Sequence, residues 1–285
     1  MMLLGLGYLF GFGIIAQWFF LLGAWGAPIN AMTINGPVIG SIFLLGLISW
    51  KRGFQFQKEI PKDISWAEWL FVVFIVVFFA VAVFNVIFRI PIVSWDGTAT
   101  IAYKAKIFFY ERTFRFNDQL PHASYPLQVP LLFCWAAITL GQWHEYLVKL
   151  IFPLVSFSLV CLVYGFLKEQ TNRRYALFGV LLMLSANYVF LHTIATYRDL
   201  MLGAYNAAVI LVGVMWLKNS HRSLLILAGC FSGMAAFTKL EGMGYALIHS
   251  IFFLSLIIMN GRRRKENSVS DFLKNTVSFL FPLIM

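Results

Sequence analysis

Long apolar runs separated by short polar or basic connections make up most of the chain. Several reach the roughly 20 apolar residues that a helix needs to cross the hydrocarbon core of a bilayer. The pattern therefore predicts an all-α, polytopic membrane protein. The runs cover residues 3–24, 32–50, 67–89, 127–141, 146–167, 175–193, 200–217, 223–238, 243–260 and 270–285.

The composition agrees with this class of protein. Of the 285 residues, 60% are hydrophobic, 18% aromatic and only 12% charged, whereas soluble domains carry about 25% charged residues. The first run lacks the basic start of a signal peptide and is longer than the usual apolar region of one, so it predicts a retained helix. The net charge of +10 does not indicate nucleic-acid binding, because most lysines and arginines lie in short clusters between apolar runs.

These basic clusters determine the expected topology. Basic residues concentrate in cytoplasmic connections, so all four clusters are expected inside. Only one of the runs 127–141 and 146–167 can then cross completely. The shorter run follows Pro126 and contains Pro130, which favours a re-entrant or interfacial helix, and about nine transmembrane helices result. The clusters are Lys51, Arg52, Lys58 and Lys62; Lys168, Arg173 and Arg174; Lys218 and Arg222; and Arg262, Arg263, Arg264 and Lys265.

The same features divide one membrane domain into three regions. Residues 1–64 supply two N-terminal helices and a basic cytoplasmic loop, and residues 65–260 form a core that carries the motifs described below. Residues 261–285 supply a basic loop and the start of a further helix, without a hydrophilic tail. This ending is typical of a fragment or of a reduced core.

With this topology, the other charged side chains collect on the outer side of the membrane. Asp96 opens a loop over residues 90–126, in which apolar and charged residues alternate as in a helix on the membrane surface. Asp199 lies in a tight outer turn, and the next outer turn carries Lys239 and Glu241. We expect these turns to share one site. The connection after the short helix adds His144, Glu145 and Lys149.

Acids at the edge of hydrocarbon are costly to keep, so their presence favours a functional role. A carboxylate can accept a proton from a hydroxyl or an amine, or hold a divalent cation beside a phosphate. Lysine and arginine can bind phosphate oxygens. Together these residue types fit the transfer of a sugar from a lipid-phosphate donor.

Each of these side chains also has an ordinary structural interpretation. Asp96 could be the N-cap of the surface helix, and Arg198 and Asp199 could form a turn pair. Singly, none of the motifs is specific. Lys239 and Glu241 could cap helix ends. Lys104 and Lys106 could extend to lipid headgroups.

Five short motifs follow one another within residues 65–260. They are Trp95-Asp96-Gly97 with Lys104-Ala105-Lys106; Ser124-Tyr125-Pro126-Leu127; Gly141 with Glu145 and Lys149; Tyr197-Arg198-Asp199; and Thr238-Lys239-Leu240-Glu241-Gly242. In this order they resemble the GT-C superfamily of polyprenyl-phosphate-sugar-dependent glycosyltransferases, notably glycosyltransferase family 39 and the aminoarabinose-transferase-like bacterial members. The chain departs from that pattern in lacking a second Pro after Pro126 and in having Lys149 where the family has Arg. Two helices precede the acidic loop where many members have one.

The resemblance implies an active site on the outer face of a bacterial plasma membrane. A sugar would pass, with inversion, from a polyprenyl-phosphate carrier to a lipid, glycan or protein acceptor. Asp96 would act as the general base or orient the acceptor, and Asp199 would assist it; a divalent cation, if one is used, would bind to both. The expected substrate-binding residues are Lys104, Lys106, Tyr125, Glu145, Lys149, Arg198, Lys239 and Glu241.

A membrane transporter or lipid flippase is the alternative function. Such a protein is expected to place polar residues near the bilayer midplane or on paired broken helices, whereas the polar residues here collect at one edge. A non-catalytic scaffold is a third possibility, and it predicts that the outer acids tolerate substitution. The sequence leaves the sugar, the acceptor and any metal requirement open.

Overall fold

A computed structural model describes residues 1–51, 64–113, 122–264 and 269–284. Within these ranges the chain is helical and contains no strand, which confirms the predicted all-α class. Several basic residues of the predicted cytoplasmic loops lie outside the described residues, namely Arg52, Lys58, Lys62 and Lys265. Residues 114–121 of the predicted surface loop and Met285 lie outside them too.

Twelve α-helices and three short π- or 3₁₀-helical segments account for most of the described chain. The π-helical segments are Asn85–Arg89 and Asp96–Ala102, and the 3₁₀ segment is Leu147–Leu150. The α-helices are α1 (Met2–Ala24), α2 (Ala31–Lys51), α3 (Trp66–Phe84), α4 (Tyr103–Glu111), α5 (Gln128–Leu140), α6 (Ile151–Gln170), α7 (Arg173–Ser185), α8 (Asn187–Ile194), α9 (Asp199–Asn219), α10 (Arg222–Thr238), α11 (Leu240–Arg264) and α12 (Val269–Ile284).

Six helical stretches of the described chain are long and apolar enough to cross a membrane. They are Met2–Ala24, Ala31–Ile48, Trp66–Arg89, Leu147–Gln170, Asp199–Asn219 and Leu240–Gly261. A seventh results if α7 and α8 count as one broken span. The protein is thus a multi-pass membrane protein by the length and composition of its helices, while the predicted number of nine spans is not confirmed.

The predicted run 175–193 is two helices rather than one. The axes of α7 and α8 differ by 70°, and Ala186 between them has an extended backbone with ψ 117°. Thr193 on α8 shares a buried hydrogen bond of 2.5 Å with Ser156 on α6. No Gly or Pro marks the break, so the sequence pattern gave no sign that the helix would be interrupted.

The short helix α5 lies inside the protein. Most of its residues from Gln128 to Ile138 are buried, and it packs against α1 and α4. At 13 residues it is too short to span hydrocarbon alone. A helix at membrane depth that is covered by protein can end inside the bilayer without exposing its backbone to lipid, so the re-entrant assignment stays a prediction.

A buried chain of hydrogen bonds joins α5 to three other helices. The Gln128 Nε2 atom donates to the Tyr205 hydroxyl at 2.5 Å, and the Gln128 Oε1 atom accepts from Thr238 Oγ1 at 2.6 Å. The Tyr205 hydroxyl in turn donates to the carbonyl oxygen of Leu9 at 3.2 Å. Helices α1, α5, α9 and α10 are therefore fixed to one another directly beneath Lys239.

The contacts that charged side chains make between helices fall at two opposite ends of the structure. At one end, Arg173 binds Glu68 and Lys218 binds Gln170. The other end carries the Lys239–Asp199 pair. Helix α9 separates the two ends by about 32 Å, given 21 residues at ~1.5 Å each. The acids expected on the outer face thus lie together, away from the described basic residues expected inside.

This arrangement predicts opposite accessibility of the two ends to a membrane-impermeant thiol reagent. In a cysteine-free background, Ala123→Cys is expected to react in intact cells, because residue 123 lies at the end that carries Asp199. Thr171→Cys, at the other end, is expected to react only after permeabilisation. Both positions are exposed, so burial cannot explain a difference. Labelling of both in intact cells would contradict the proposed orientation.

Candidate functional site

The loop that carries Asp96, called the acidic loop below, packs directly onto the turn that precedes α9. Ser94 Oγ accepts a hydrogen bond from the Gly97 amide at 3.2 Å and donates one to the carbonyl oxygen of Thr196 at 3.2 Å. A Cβ atom on Gly97 would lie 2.5 Å from Ser94 Oγ and 2.8 Å from Thr196 Cβ. Only glycine allows this approach, which brings Asp96 next to the turn that carries Arg198.

Arg198 is the buried centre of the site. Its residue exposure is 3%, and its Nη1 atom donates to Thr100 Oγ1 at 3.1 Å. Thr100 Oγ1 donates to the carbonyl oxygen of Asp96 at 2.6 Å. The guanidinium also lies over the Tyr125 ring, 5.2 Å from its centroid. One arginine thus contacts the acidic loop and the segment that leads into α5.

The other edge of this guanidinium has no protein acceptor in the described ranges. Nε and Nη2 of Arg198 are both buried and without a hydrogen-bond partner. In Arg173 the same two atoms bind the two carboxylate oxygens of Glu68, at 2.6 and 2.9 Å. This edge of arginine matches the oxygen spacing of carboxylates and phosphates. In Arg198 no described side chain occupies this edge, which has the donor geometry that binds a bidentate oxyanion.

Several charged side chains act on Arg198. Burial lowers the pKa of Arg198, and Asp96 opposes that shift, followed by Tyr125, Asp199 and Glu241. All three acids therefore lie within electrostatic range of the guanidinium. The structure thereby brings together Asp96, Asp199 and Glu241, which belong to three motifs that are separated in sequence. The sequence predicted this grouping from the loop that begins at Asp96 and the two outer turns.

Lys104 is a second buried cation beside Arg198. Its side chain is inaccessible to solvent, and its Nζ atom donates to the carbonyl oxygen of His122 at 2.6 Å. Burial, with a smaller contribution from the charge of Arg198, lowers the pKa of Lys104 to about 8. The lysine points into protein rather than extending to lipid headgroups, which excludes that structural interpretation for Lys104.

Lys239 is paired with two acids between α10 and α11. Its Nζ atom lies 2.9 Å from Asp199 Oδ1 and 3.3 Å from Glu241 Oε1. Burial lowers the pKa of Lys239, but the hydrogen bonds and charges of Asp199 and Glu241 outweigh it, so the pKa lies above its ordinary value. Gly242 permits this turn, because a Cβ there would overlap the backbone of Ala235.

The Asp96 carboxylate differs from Asp199 in having no fixed partner. Among the described residues it makes no hydrogen bond or ion pair, although Arg198 is near. It is also not a helix cap: the π-helix begins with Asp96 itself, and Ser94 Oγ, not the Asp96 carboxylate, accepts the hydrogen bond from the Gly97 amide. The sequence interpretation of Asp96 as an N-cap is therefore not supported.

The remaining predicted binding residues have other partners than Arg198. Lys106 Nζ lies 2.6 Å from Glu145 Oε1 and 5.3 Å from the centroid of Trp143. Lys149 is fully buried and donates to the carbonyl oxygen of Ile90. Lys104 and Lys106, two residues apart on one helix, therefore point to different partners.

Metal ligation has little structural support in the described part of the chain. No group of three His, Cys, Asp or Glu side chains there could hold a metal ion. Of the two acids expected to share a cation, Asp199 is bound to Lys239. A cation bridging Asp96 and Asp199 stays a prediction of the sequence.

Comparisons with known proteins do not identify the chain. No family model, no curated protein and no solved structure matches it. What the protein does must therefore be argued from the side chains gathered around Arg198.

The lowered pKa of Lys104 predicts a pH dependence for anion binding at this site. Above pH about 8 the free protein loses the Lys104 proton, whereas a bound anion favours the charged lysine. The affinity for inorganic phosphate should thus fall above pH about 8, by up to about tenfold per pH unit. Calorimetric titration would measure it. Lys104→Met should abolish the decline and Lys106→Met should keep it; an unchanged decline in Lys104→Met would contradict the assignment.

The same shift fixes the sign of the effect on stability without ligand. Because the pKa of Lys104 is lower in the folded chain than the ordinary value of 10.5, the unfolded chain binds more protons between about pH 8 and that value. The stability conferred by this residue therefore rises with pH across that window. The thermal stability of the wild type should therefore rise relative to that of Lys104→Met across this pH window.

Proposed function

We propose that the chain is a membrane glycosyltransferase that moves a sugar from a polyprenyl-phosphate carrier to an acceptor at the outer face of the membrane. The observation that carries this proposal is the buried Nε–Nη2 edge of Arg198, which has no acceptor among the described residues. The unpaired Asp96 carboxylate beside it supplies a base. An oxyanion-binding group and a free base at one end of membrane-spanning helices fit attack on a phosphate-linked sugar.

Arg198 and Lys104 bind the phosphate of the donor in this proposal. Hydrogen bonds to charged groups contribute about 1.5–3 kcal/mol each, and burial strengthens them further because water screens the charges less. As the bond to the sugar breaks, negative charge builds up on the phosphate oxygen, so the same two cations stabilise the transition state more than the ground state.

Asp96 acts as the general base. It accepts the proton of the acceptor hydroxyl while the acceptor oxygen attacks the anomeric carbon. The bond between that carbon and the phosphate oxygen breaks, and polyprenyl phosphate leaves with the electron pair. Attack from the side opposite the leaving group inverts the anomeric configuration. Asp199 assists by holding Lys239, which is a different role from the shared catalytic role that the sequence suggested.

The outer orientation and the nine-span topology belong to the same proposal. Both rest on the basic clusters of the sequence, and the position of the acids at the end opposite Arg173 and Arg222 supports the orientation. The bacterial plasma membrane follows from the resemblance to the GT-C superfamily. Lys106, Glu145 and Lys149 are proposed as substrate-binding residues at the edge of the site, with Tyr125 beside Arg198.

One observation favours the alternative of a transporter or flippase. The 70° break between α7 and α8 resembles the discontinuous helices that transporters use. Among the described residues, however, charged side chains do not gather at that break, and those around Arg198 lie at the end of α9. Movement of a fluorescent polyprenyl-phosphate analogue across vesicles without sugar transfer would favour this alternative.

Asp96→Asn tests the base. The substitution keeps the shape of the side chain and removes its proton affinity, so we expect the transfer rate to fall by about 10²–10⁴-fold at unchanged abundance in the membrane. Sugar transfer from a polyprenyl-phosphate sugar would be measured in purified protein. Glu169→Gln, an exposed acid at the other end, is the matched control. Full activity of Asp96→Asn would exclude the proposed base.

Lys239→Met tests the role of the paired lysine. It leaves Asp199 and Glu241 without their cation. Their negative charges then offset more of the positive charge of Arg198 and reduce its attraction for phosphate. We expect a higher KM for the donor, by roughly tenfold, with a smaller effect on thermal stability. Lys218→Met, at the opposite end of α9, should leave the KM unchanged. An unaltered KM in Lys239→Met would assign this lysine a purely structural role.

A further inference from the structure

A separate polar cavity lies at the opposite end of the helices from the candidate site. It has a volume of 230 Å³ and lies where α9, α10, α11 and α12 meet. This volume is smaller than the roughly 300–1,000 Å³ of sites for drug-sized ligands, so it fits a small polar group. Its lining consists of Trp216, Ser220, Arg222, Asn260, Asp271 and Asn275.

Trp216 lines this cavity and carries a buried donor. The residue is 1% exposed, and its Nε1 atom has no hydrogen-bond partner within the described residues. The indole N–H can only donate, and leaving it unpaired in the interior costs free energy. A ligand that accepts a hydrogen bond would relieve this cost.

The opposite wall adds further donors. Arg222 Nη2 donates to Asp271 Oδ1 at 2.6 Å, and Arg222 Nε donates to Asn275 Oδ1 at 3.2 Å. Because Asn275 accepts through its oxygen, its amide N–H groups stay available to a ligand. The Arg222–Asp271 pair is partly exposed, at 47% and 39%, so it lies at the mouth while Trp216 lies deeper.

The depth of the cavity along the helices indicates the source of its ligand. Trp216 and Ser220 lie at the last turn of α9, an apolar helix of 21 residues that is long enough to cross the membrane. Lipid headgroups lie at the ends of such helices, and tryptophan is enriched at that level. Phosphate groups of lipids are therefore the anionic acceptors present at the highest local concentration.

We propose that this cavity binds a phosphate group, and that the phosphate belongs to the headgroup of a membrane lipid. Trp216 Nε1 and the Asn275 amide donate to its oxygens, and Arg222 supplies the positive charge. The ligand joins α9 and α10 to α12. The site is independent of sugar transfer and lies at the other end of α9 from Arg198.

Native mass spectrometry of the purified full chain tests this proposal. The protein is titrated in separate arms with phosphatidylglycerol, with diacylglycerol, which has no phosphate, and with glycerol phosphate, which has no acyl chains. We expect phosphatidylglycerol to bind, diacylglycerol not to bind at this site, and glycerol phosphate to bind more weakly. Trp216→Phe keeps an aromatic ring and removes the N–H, so its Kd for phosphatidylglycerol should rise about tenfold.

Trp66→Phe is the matched control. Trp66 lies at the same end of the structure but is 77% exposed and does not line the cavity, so this variant should bind like the wild type. Asn275→Ala provides a second test from α12 should Trp216→Phe fold poorly. Binding of glycerol phosphate but not phosphatidylglycerol, lost in both variants, would overturn the lipid source. Wild-type affinity for both probes in Trp216→Phe and in Asn275→Ala would overturn the site itself.

Discussion

Burial of the Arg198 guanidinium is the constraint on which the candidate site depends. Burial of a charge is costly unless the charge is paired and hydrogen-bonded. Thr100 supplies one hydrogen bond and the Tyr125 ring covers a face, while three acids lie in electrostatic range. The close packing of Gly97 on Thr196 holds the loop that makes these contacts. The absence of a side chain at Gly97 therefore determines where the Arg198 charge, about a hundred residues away in sequence, is placed.

Arg173 and Arg198 show how the same side chain serves two purposes. Glu68 occupies the Nε–Nη2 edge of Arg173. Glu68 is itself held in place by a capping box with Ser65 at the start of α3. That arrangement is complete within the protein and joins α3 to α7. Around Arg198 the acids remain at a distance, and the carboxylate of Asp96, the acid that acts most strongly on it, has no hydrogen bond or ion pair among the described residues. Complete pairing favours stability, whereas incomplete pairing of a buried cation favours the binding of an anion.

The sequence predicted the apolar helices well because the need to bury apolar surface in hydrocarbon leaves a direct pattern in composition. It also placed Asp96, Asp199 and Lys239 together, since counting of crossings requires only the basic clusters. It did not predict the break before α8, which has no Gly or Pro signal, or the burial of Lys104. Nor could spacing reveal the bond of Gln128 to Tyr205, 77 residues apart, because such contacts depend on how helices pack.

The buried hydrogen bonds beneath the site bear on which function its geometry favours. Gln128, Tyr205 and Thr238 fix α5, α9 and α10 to one another, and Tyr205 extends the chain to α1. Alternating access moves one group of helices against another, and here such movement would break several hydrogen bonds between fully buried side chains. A transferase benefits from the opposite property, because charges held in place before the substrate arrives need no reorganisation during the reaction. The network therefore favours fixed chemistry at Arg198 over transport past it.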